Sequence, residues 1–293
     1  MYLCRFAAAD GPHLGLIVGE EAYDLSLIDP ARFGSLGSLL AWSTIVATLP
    51  EALTRAIAGY RPLAGGRARL RLLKPIDEQE VWAAGVTYLR SRAARERESQ
   101  SSDLYSRVYT ATRPEIFFKG LPHHCVGPEE PVRARADSRW SVPEPELALL
   151  LNPAGEVVGF TIGNDMSARD IEGENALYLP QAKIYRQCCA LGPVVRLAET
   201  GADPTALGVT LRIERADAIV FEGTTRTSQM ARPFADLITY LRCENDLPRG
   251  AFFLTGTGII PPDDFTLHDG DRVTIAIEGI GELSNPVVQD RSE

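Results

Sequence analysis

Three acidic residues in two short segments offer the clearest chemistry in this sequence. Glu144 and Glu146 stand on either side of Pro145, and Asp165 follows later in the chain. Carboxylates that meet at one point repel one another, so such a cluster favours a hard divalent cation. Because neither Cys nor His accompanies them, all-oxygen ligation predicts Mg²⁺, with Ca²⁺ or Mn²⁺ as alternatives, rather than Zn²⁺. The competing interpretation is that the two glutamates are solvent-facing strand residues paired with lysine or arginine.

A β-hairpin would bring these carboxylates together. Two apolar runs flank Asn152-Pro-Ala-Gly155, a sequence typical of a tight turn. With a symmetric turn, Leu151 pairs with Glu156, so Glu146 is opposite Thr161 and Glu144 is opposite Gly163. Paired residues share a face of the sheet, as do residues two apart along a strand. We therefore predict that Glu144, Glu146 and Asp165 point to the same side.

Two further features are compatible with a site at this place. Lys183 lies in a loop-like run, and Thr255-Gly-Thr-Gly258 follows an apolar strand, where glycines let the backbone approach an anion closely. Taken alone, the lysine is as compatible with a solvated side chain and the glycine run with a simple turn. The adjacent His123 and His124 point to opposite sides of an extended chain, which disfavours a transition-metal site.

Composition restricts the possible partners and the compartment. The 293 residues are 45% hydrophobic and 24% charged, with a net charge of −9. An acidic chain is a poor match for nucleic acid or an anionic membrane surface, so we expect neither as a partner. The five cysteines show no zinc-binding spacing and read as reduced thiols, and no signal peptide or membrane span is predicted. We expect a cytoplasmic protein.

The pattern of short strands and turns predicts an α+β protein that is mostly β. Residues 1–75 read as a small N-terminal α/β module with strands and one or two helices. A composition change near Lys74-Pro75 marks the start of a larger domain, residues 76–293. Few helical patterns interrupt the strands of this larger part.

The chain resembles the fumarylacetoacetate hydrolase superfamily from about Val81 to its C-terminus. The segments that carry the resemblance are residues 113–119, 144–146, 163–170, Lys183 with Gly192-Pro193, and residues 255–258, 269–271 and 279–281. The resemblance implies a distorted β-roll whose divalent ion is held by Glu144, Glu146 and Asp165. It also implies a small 2-oxo acid or 1,3-diketone substrate, and a homo-oligomer, either a dimer or a tetramer.

One departure from the superfamily narrows the expected reaction. Carbon–carbon hydrolases of this group carry a His and a Glu on the lid that activate water, and this sequence has Ser91 and Ala94 at those positions. Neither is a general base at neutral pH. The runs around residues 85–92, 113–115 and 178–193 are similar to the branch of 2-keto-3-deoxy-D-arabinonate (D-xylonate) dehydratases. That resemblance implies a metal-dependent hydro-lyase that forms 2,5-dioxopentanoate.

Residue roles follow from this resemblance. We expect Glu115 to be the catalytic base. Lys183 is expected to stabilise charge on the substrate or to protonate the leaving hydroxyl. The residues expected to bind the substrate are Arg90, Arg92, Lys119, Gly256 and Thr257. Two alternatives remain, namely a hydrolase of a 2,4-diketo acid that uses another base such as Glu115, and a metal-binding protein without turnover.

Overall fold

The computed structural model describes residues 1–88, 111–198 and 203–290, and these form a mostly β structure. The strands of the first half are β1 (Tyr2–Ala8), β2 (Gly11–Val18), β3 (Glu21–Asp24), β4 (Leu72–Leu73), β5 (Glu80–Gly85), β6 (Glu115–Gly120), β7 (Cys125–Val126), β8 (Val132–Arg133) and β9 (Ser141–Val142). Those of the second half are β10 (Pro145–Leu151), β11 (Val157–Asp165), β12 (Ser167–Ala168), β13 (Cys189–Leu197), β14 (Gly208–Arg215), β15 (Ala218–Arg226), β16 (Ala251–Leu254), β17 (Arg272–Ile277) and β18 (Gly281–Val288). The prediction of a mainly β protein is confirmed.

The α-helices of the described residues are short. They are α1 (Leu25–Ile28), α2 (Pro30–Phe33), α3 (Leu36–Ser43), α4 (Leu49–Ala56), α5 (Arg169–Glu174), α6 (Leu179–Lys183) and α7 (Phe234–Arg242). Four of them lie in residues 1–75, where the sequence predicted one or two. The predicted domain boundary near residue 75 stays a prediction, and β1 pairs directly with β13, so strands from both sides of the boundary share one sheet.

Two sheets carry the architecture. The large mixed sheet runs in the order β3-β2-β1-β13-β11-β10-β16-β5-β6, with β4 beside β1 and β7 beside β13. The second runs β15-β14-β17-β18-β8, and β9 pairs with β12 in a small ribbon. Strands β10 and β11 therefore lie inside the large sheet, where both of their edges are paired.

Strand β10 is buried on both faces. Leu147, Leu149 and Leu151 pack into a cluster with residues of the second sheet, whereas Ala148 and Leu150 pack into a cluster with helices α3 and α4. A strand covered on both faces reads as a continuous apolar run, as this one does. Polar side chains at its entrance are consequently carried into the interior.

The hairpin turn is as predicted, but the strand register is not. The N–H of Gly155 donates to the carbonyl of Asn152 at 2.8 Å, which closes the expected turn. Glu146 pairs with Gly163 instead of Thr161, so the predicted register is wrong by two residues. Glu144 is likewise opposite Asp165, whose N–H donates to the Glu144 carbonyl at 2.9 Å.

Two single-residue shifts account for this difference. Glu156 stays in the loop, where its N–H donates to Asn152 Oδ1 at 2.9 Å, so Leu151 pairs with Val157. A bulge then shifts the register again, and Leu150 pairs with Gly159. Because side chains alternate with a period of two, the two shifts together restore the predicted face.

Candidate metal centre and active site

The three predicted ligand residues meet at the open end of the β10–β11 hairpin. One oxygen from each of Glu144, Glu146 and Asp165 lies within 4.8 Å of the others. All three side chains are almost completely buried. Among the residues that the structure describes, they form the one group of three or more acidic, His or Cys side chains close enough to share a metal ion. The predicted convergence is confirmed. The alternative of solvent-facing glutamates is wrong, although Glu144 does pair with an arginine and a lysine, Arg169 and Lys183.

One oxygen of each carboxylate contacts an N–H or charged group from another element; for Asp165 this contact is an ion pair rather than a hydrogen bond. Arg169, at the start of α5, donates from Nη2 to Glu144 Oε1 at 2.7 Å. The N–H of Gly256 donates to Glu146 Oε2 at 2.6 Å. Lys119, near the end of β6, places Nζ 2.6 Å from Asp165 Oδ1. We call these three groups the backing donors.

Lys183 lies between two of the carboxylates. Its Nζ donates to Glu144 Oε2 at 2.8 Å, to Asp165 Oδ2 at 3.0 Å and to Ser167 Oγ at 2.6 Å. The lysine is the last residue of α6, a short helix with a proline in its first turn. Its side chain is buried, so this positive charge is fixed against the acidic cluster.

The electrostatics of Glu146 favour an additional positive charge. Burial raises the pKa of Glu146 well above its ordinary value, and the charges of Asp165 and Glu144 raise it further. Lys183 and the Gly256 N–H act in the opposite direction but do not cancel these effects. A buried group of three oxygen ligands in this state suits a hard divalent cation, which would stabilise the ionised form of Glu146.

A small cavity opens onto the cluster and contains the predicted catalytic residues. Its lining includes the three carboxylates, together with Ala84, Gly85, Val86, Glu115, Phe117, Glu172, Lys183, Gly256 and Thr257. Glu115 is paired with Gly85 across β5 and β6. A Cβ at Gly85 would lie 2.0 Å from Glu115 Oε2, so the glycine leaves the space that the carboxylate uses.

The residues predicted to bind substrate fall at different depths. Thr257 is at the cavity, with its hydroxyl bonded to the backbone of Ile259. Lys119 is completely buried behind Asp165 and is not among the residues that line the cavity. Arg90 and Arg92 lie outside the described residues, as do Ser91 and Ala94.

The Gly256 N–H is directed to Glu146 rather than to the cavity. Its φ of +95° is a conformation that glycine adopts readily. A Cβ there would lie 1.9 Å from Thr87 Oγ1, which itself donates to the carbonyl of Thr255 at 2.7 Å. The N–H donates to Glu146 Oε2, and a contact between Gly256 and a substrate stays a prediction.

Sequence reasoning missed three residues of the site. Arg169, Ser167 and Glu172 are buried around the cluster, but they appeared only as part of a motif or not at all. Arg169 could have been noticed as a charged residue that directly follows two buried strands, β11 and β12. Its partner, however, lies 25 positions away in the sequence, and only the fold brings the two together.

The alternative transition-metal site receives no support from the described histidines. His124 Nδ1 accepts a hydrogen bond from the Leu121 N–H at 3.0 Å, and its ring lies 4.0 Å from that of His123. The pair therefore forms part of a short turn. All five cysteines are free thiols, as expected from the sequence.

The fold and the acidic centre identify the class of protein. Residues 80–288 match the family described as fumarylacetoacetate (FAA) hydrolase C-terminal, and the chain belongs to this family. No helix in the described part of the chain is long and apolar enough to cross a membrane.

Particular relatives narrow the comparison. The chain is 50% identical over 213 residues to a probable 2-keto-3-deoxyxylonate dehydratase of Haloferax volcanii, with 73% of each chain covered. It is 45% identical over 229 residues to the 2-dehydro-3-deoxy-D-arabinonate dehydratase of Saccharolobus solfataricus, with 76% of each covered. A solved structure of 2-keto-3-deoxy-D-arabinonate dehydratase, in complex with magnesium and 2,5-dioxopentanoate, superposes with a TM-score of 0.81 at 35% identity over the full length of both chains.

Proposed function

We propose that this protein is a Mg²⁺-dependent hydro-lyase that converts a 2-keto-3-deoxy pentonate, 2-dehydro-3-deoxy-D-arabinonate, to 2,5-dioxopentanoate. One observation carries the proposal: a buried carboxylate cluster with ligand geometry shares a cavity with Glu115 and Lys183. The dehydratases among the relatives, and the magnesium and 2,5-dioxopentanoate in one of them, support the same substrate class.

The ion is assigned to Glu144, Glu146 and Asp165. Three oxygen ligands leave coordination positions for water or substrate, and the absence of nitrogen and sulfur in this set suits Mg²⁺. When bound, such an ion would draw electron density from the 2-oxo group of the substrate and make the neighbouring C3 protons more acidic.

Glu115 is assigned as the base that removes a C3 proton. It lies at the cavity on a strand, β6, whose partner Gly85 leaves room for the carboxylate. It is not a member of the group of three carboxylates that could share an ion, so its role can be tested separately from theirs. A carboxylate beside an acidified carbon is a competent general base.

Lys183 is assigned as a fixed positive charge. Its ammonium group has three protons, and it donates hydrogen bonds to three protein acceptors. This geometry favours stabilisation of the negative charge that develops on the 2-oxo oxygen over protonation of the leaving hydroxyl. The charge is in place before the reaction begins, which is the condition for effective electrostatic stabilisation.

The proposed conversion consists of the loss of one water and two proton transfers, and it requires no oxidant or reductant. Loss of a C3 proton and the C4 hydroxyl releases one water and leaves a double bond between C3 and C4. Transfer of a proton from C5 to C3 moves the double bond to C4 and C5, and the resulting enol becomes an aldehyde when its hydroxyl proton moves to C4. In this scheme the proton that Glu115 takes from C3 leaves with the C4 hydroxyl as water, and Glu115 would then take the proton from C5 and deliver it to C3.

The proposal includes binding of the substrate by Thr257 and by Arg90 and Arg92. Thr257 lines the cavity, and guanidinium groups match carboxylates in shape and charge. It also includes a cytoplasmic homo-oligomer, which cell fractionation and analytical ultracentrifugation would test.

The test is a mass-spectrometric assay of EDTA-treated protein with 2-dehydro-3-deoxy-D-arabinonate, with and without added Mg²⁺. Metal-dependent loss of one water with an intact carbon skeleton is the expected result. A substrate that survives in Mg²⁺ would contradict the proposal and make 2,4-diketo acids the next substrates, since hydrolysis would split them into two acids. Binding of Mg²⁺ with no turnover of either class would favour a metal-binding protein.

A further inference from the structure

One oxygen of every carboxylate in the cluster contacts a backing donor. Arg169 contacts Glu144 Oε1, the Gly256 N–H contacts Glu146 Oε2, and Lys119 contacts Asp165 Oδ1. The second oxygens of Glu144 and Asp165 both contact Lys183 Nζ. The two oxygens of these carboxylates therefore have separate partners.

Because its two oxygens have separate partners, each of these carboxylates is limited in how many oxygens it can offer to one cation. Ca²⁺ takes six to eight oxygens and often binds both oxygens of one carboxylate, whereas Mg²⁺ requires a compact octahedron with single oxygens. Each carboxylate oxygen has two lone-pair sites, so a contact to it does not exclude a cation. A group fixed against one oxygen instead opposes the rotation of the carboxylate that would bring both oxygens to the same ion. The backing donors thus disfavour the larger coordination number of Ca²⁺.

We propose that Lys119, assisted by Arg169, makes the centre selective for Mg²⁺ over Ca²⁺ by restricting Asp165 and Glu144 to one ligand oxygen each. This inference rests on the metal site of the proposed function. It assigns Lys119 a positioning role behind the ligands, distinct from the substrate contact that the motif suggested.

The surroundings of Lys119 make this restriction rigid. Its side chain is fully buried, and Nζ also donates to the carbonyl of Met166 at 3.0 Å and to the carbonyl of Lys183. The three contacts join the segment after β11 to the end of α6. Lys119 therefore cannot follow Asp165 if that carboxylate turns, because its other two acceptors belong to the backbone.

The experiment measures the affinities for Mg²⁺ and Ca²⁺ without substrate. Each ion is titrated against protein loaded with Mn²⁺, and the released Mn²⁺ is followed by its electron paramagnetic resonance signal. The variants are Lys119→Met and Arg169→Met. The matched control is Lys74→Met. Lys74 Nζ likewise donates to two backbone carbonyls, those of Pro122 at 2.8 Å and Cys125 at 2.9 Å, and both of these partners lie outside the cluster.

The ratio of the two affinities is the diagnostic quantity. Loss of a positive charge changes the affinity for both divalent ions in the same direction, so it leaves their ratio nearly constant. Changes to residues that support metal ligands typically alter metal affinity by about tenfold to a hundredfold. Loss of the restriction should alter the two affinities unequally, and we expect the ratio to shift toward Ca²⁺ by about tenfold. We expect this shift in Lys119→Met and Arg169→Met, and a wild-type ratio in Lys74→Met.

The possible outcomes separate this inference from the proposed reaction. A wild-type ratio in both Lys119→Met and Arg169→Met would overturn the selectivity role, whatever the protein catalyses. If Lys119→Met does not fold, Arg169→Met alone decides the matter. A wild-type protein that binds neither ion would overturn the metal site, and with it both this inference and the metal-dependent part of the proposed function. Selective binding without dehydration would contradict the reaction alone.

Discussion

Replacement of Lys183 by methionine should destabilise the protein most strongly when no divalent ion is present. The ammonium contacts Glu144 and Asp165, and its removal leaves two buried carboxylates with less compensation. Removing one partner of a buried ion pair costs about 3–5 kcal/mol. Each carboxylate keeps one other positively charged partner, Arg169 or Lys119, so we expect a loss of stability at the lower end of this range, about 3 kcal/mol. For a chain of this length, that loss corresponds to a fall in Tm of roughly 6 °C.

Magnesium should reduce this deficit. A divalent ion and the Lys183 ammonium interact with the same carboxylates, so the variant should bind Mg²⁺ more tightly than the wild type does. A tenfold gain in affinity is worth about 1.4 kcal/mol, which would narrow the Tm difference to roughly 3 °C at saturating Mg²⁺. At the same time the variant should lose most of its dehydratase activity, because the fixed charge that supports the reaction is gone.

Thermal unfolding of both proteins in EDTA and in Mg²⁺ tests this reasoning. Lys74→Met is again the control, since it loses hydrogen bonds to two backbone carbonyls and its Tm difference from the wild type should not depend on Mg²⁺. If the deficit of Lys183→Met is the same in EDTA and in Mg²⁺, the ion and the lysine do not share these carboxylates. The assignment of the metal centre would then be refuted, whatever the size of the deficit.

Three further changes have defined expectations. Glu115→Gln should lower the dehydration rate by about 10²–10⁴ while Mn²⁺ affinity stays near the wild-type value, and a loss of both would argue against a role limited to proton transfer. Gly256→Ala should weaken Mn²⁺ binding and lower Tm. The added Cβ would lie 1.9 Å from Thr87 Oγ1 and would displace the Gly256 N–H from the Glu146 carboxylate. An affinity for Mn²⁺ equal to that of the wild type would contradict this expectation. The hydrogen bond to Asp24 raises the pKa of His13, so the stability that His13 contributes is complete below its unfolded pKa of about 6.5 and is lost as pH rises through its folded pKa. The Tm difference between the wild type and His13→Gln should therefore be larger at pH 6 than at pH 9, and a difference that grows with pH would contradict this assignment.

The orientation of the ligand residues could be predicted from the sequence, although their strand pairing could not. Alternation along a strand depends only on whether the register changes by an odd or even number of residues. The loop residue Glu156 and the bulge near Leu150 each add one, so Glu144 and Asp165 remain on the predicted face. A single shift would have reversed the prediction, and nothing in the turn sequence shows that there are two.

The role of Lys119 illustrates what the sequence could not supply. The motif that contains it also contains Glu115, and both were expected to face the substrate. In the sheet, however, Glu115 begins β6 beside Gly85, whereas Lys119 lies near the opposite end of the same strand, beneath Asp165. Depth within a fold depends on which strands pair and what covers them, and this information is distributed over the whole chain.

The carboxylates and the groups that contact them come from different parts of the fold. The hairpin supplies all three carboxylates of the cluster, and the alternation of side chains along its two strands brings them to one face. The backing donors come from β6, α5 and the loop after β16, so they contact the carboxylates only once the sheet is complete. An unfolded or partly folded chain can therefore present the acidic residues without fixing which oxygen each one offers. If the backing donors determine the choice of ion, selectivity is a property of the assembled fold, and it should be lost in variants that still keep every ligand.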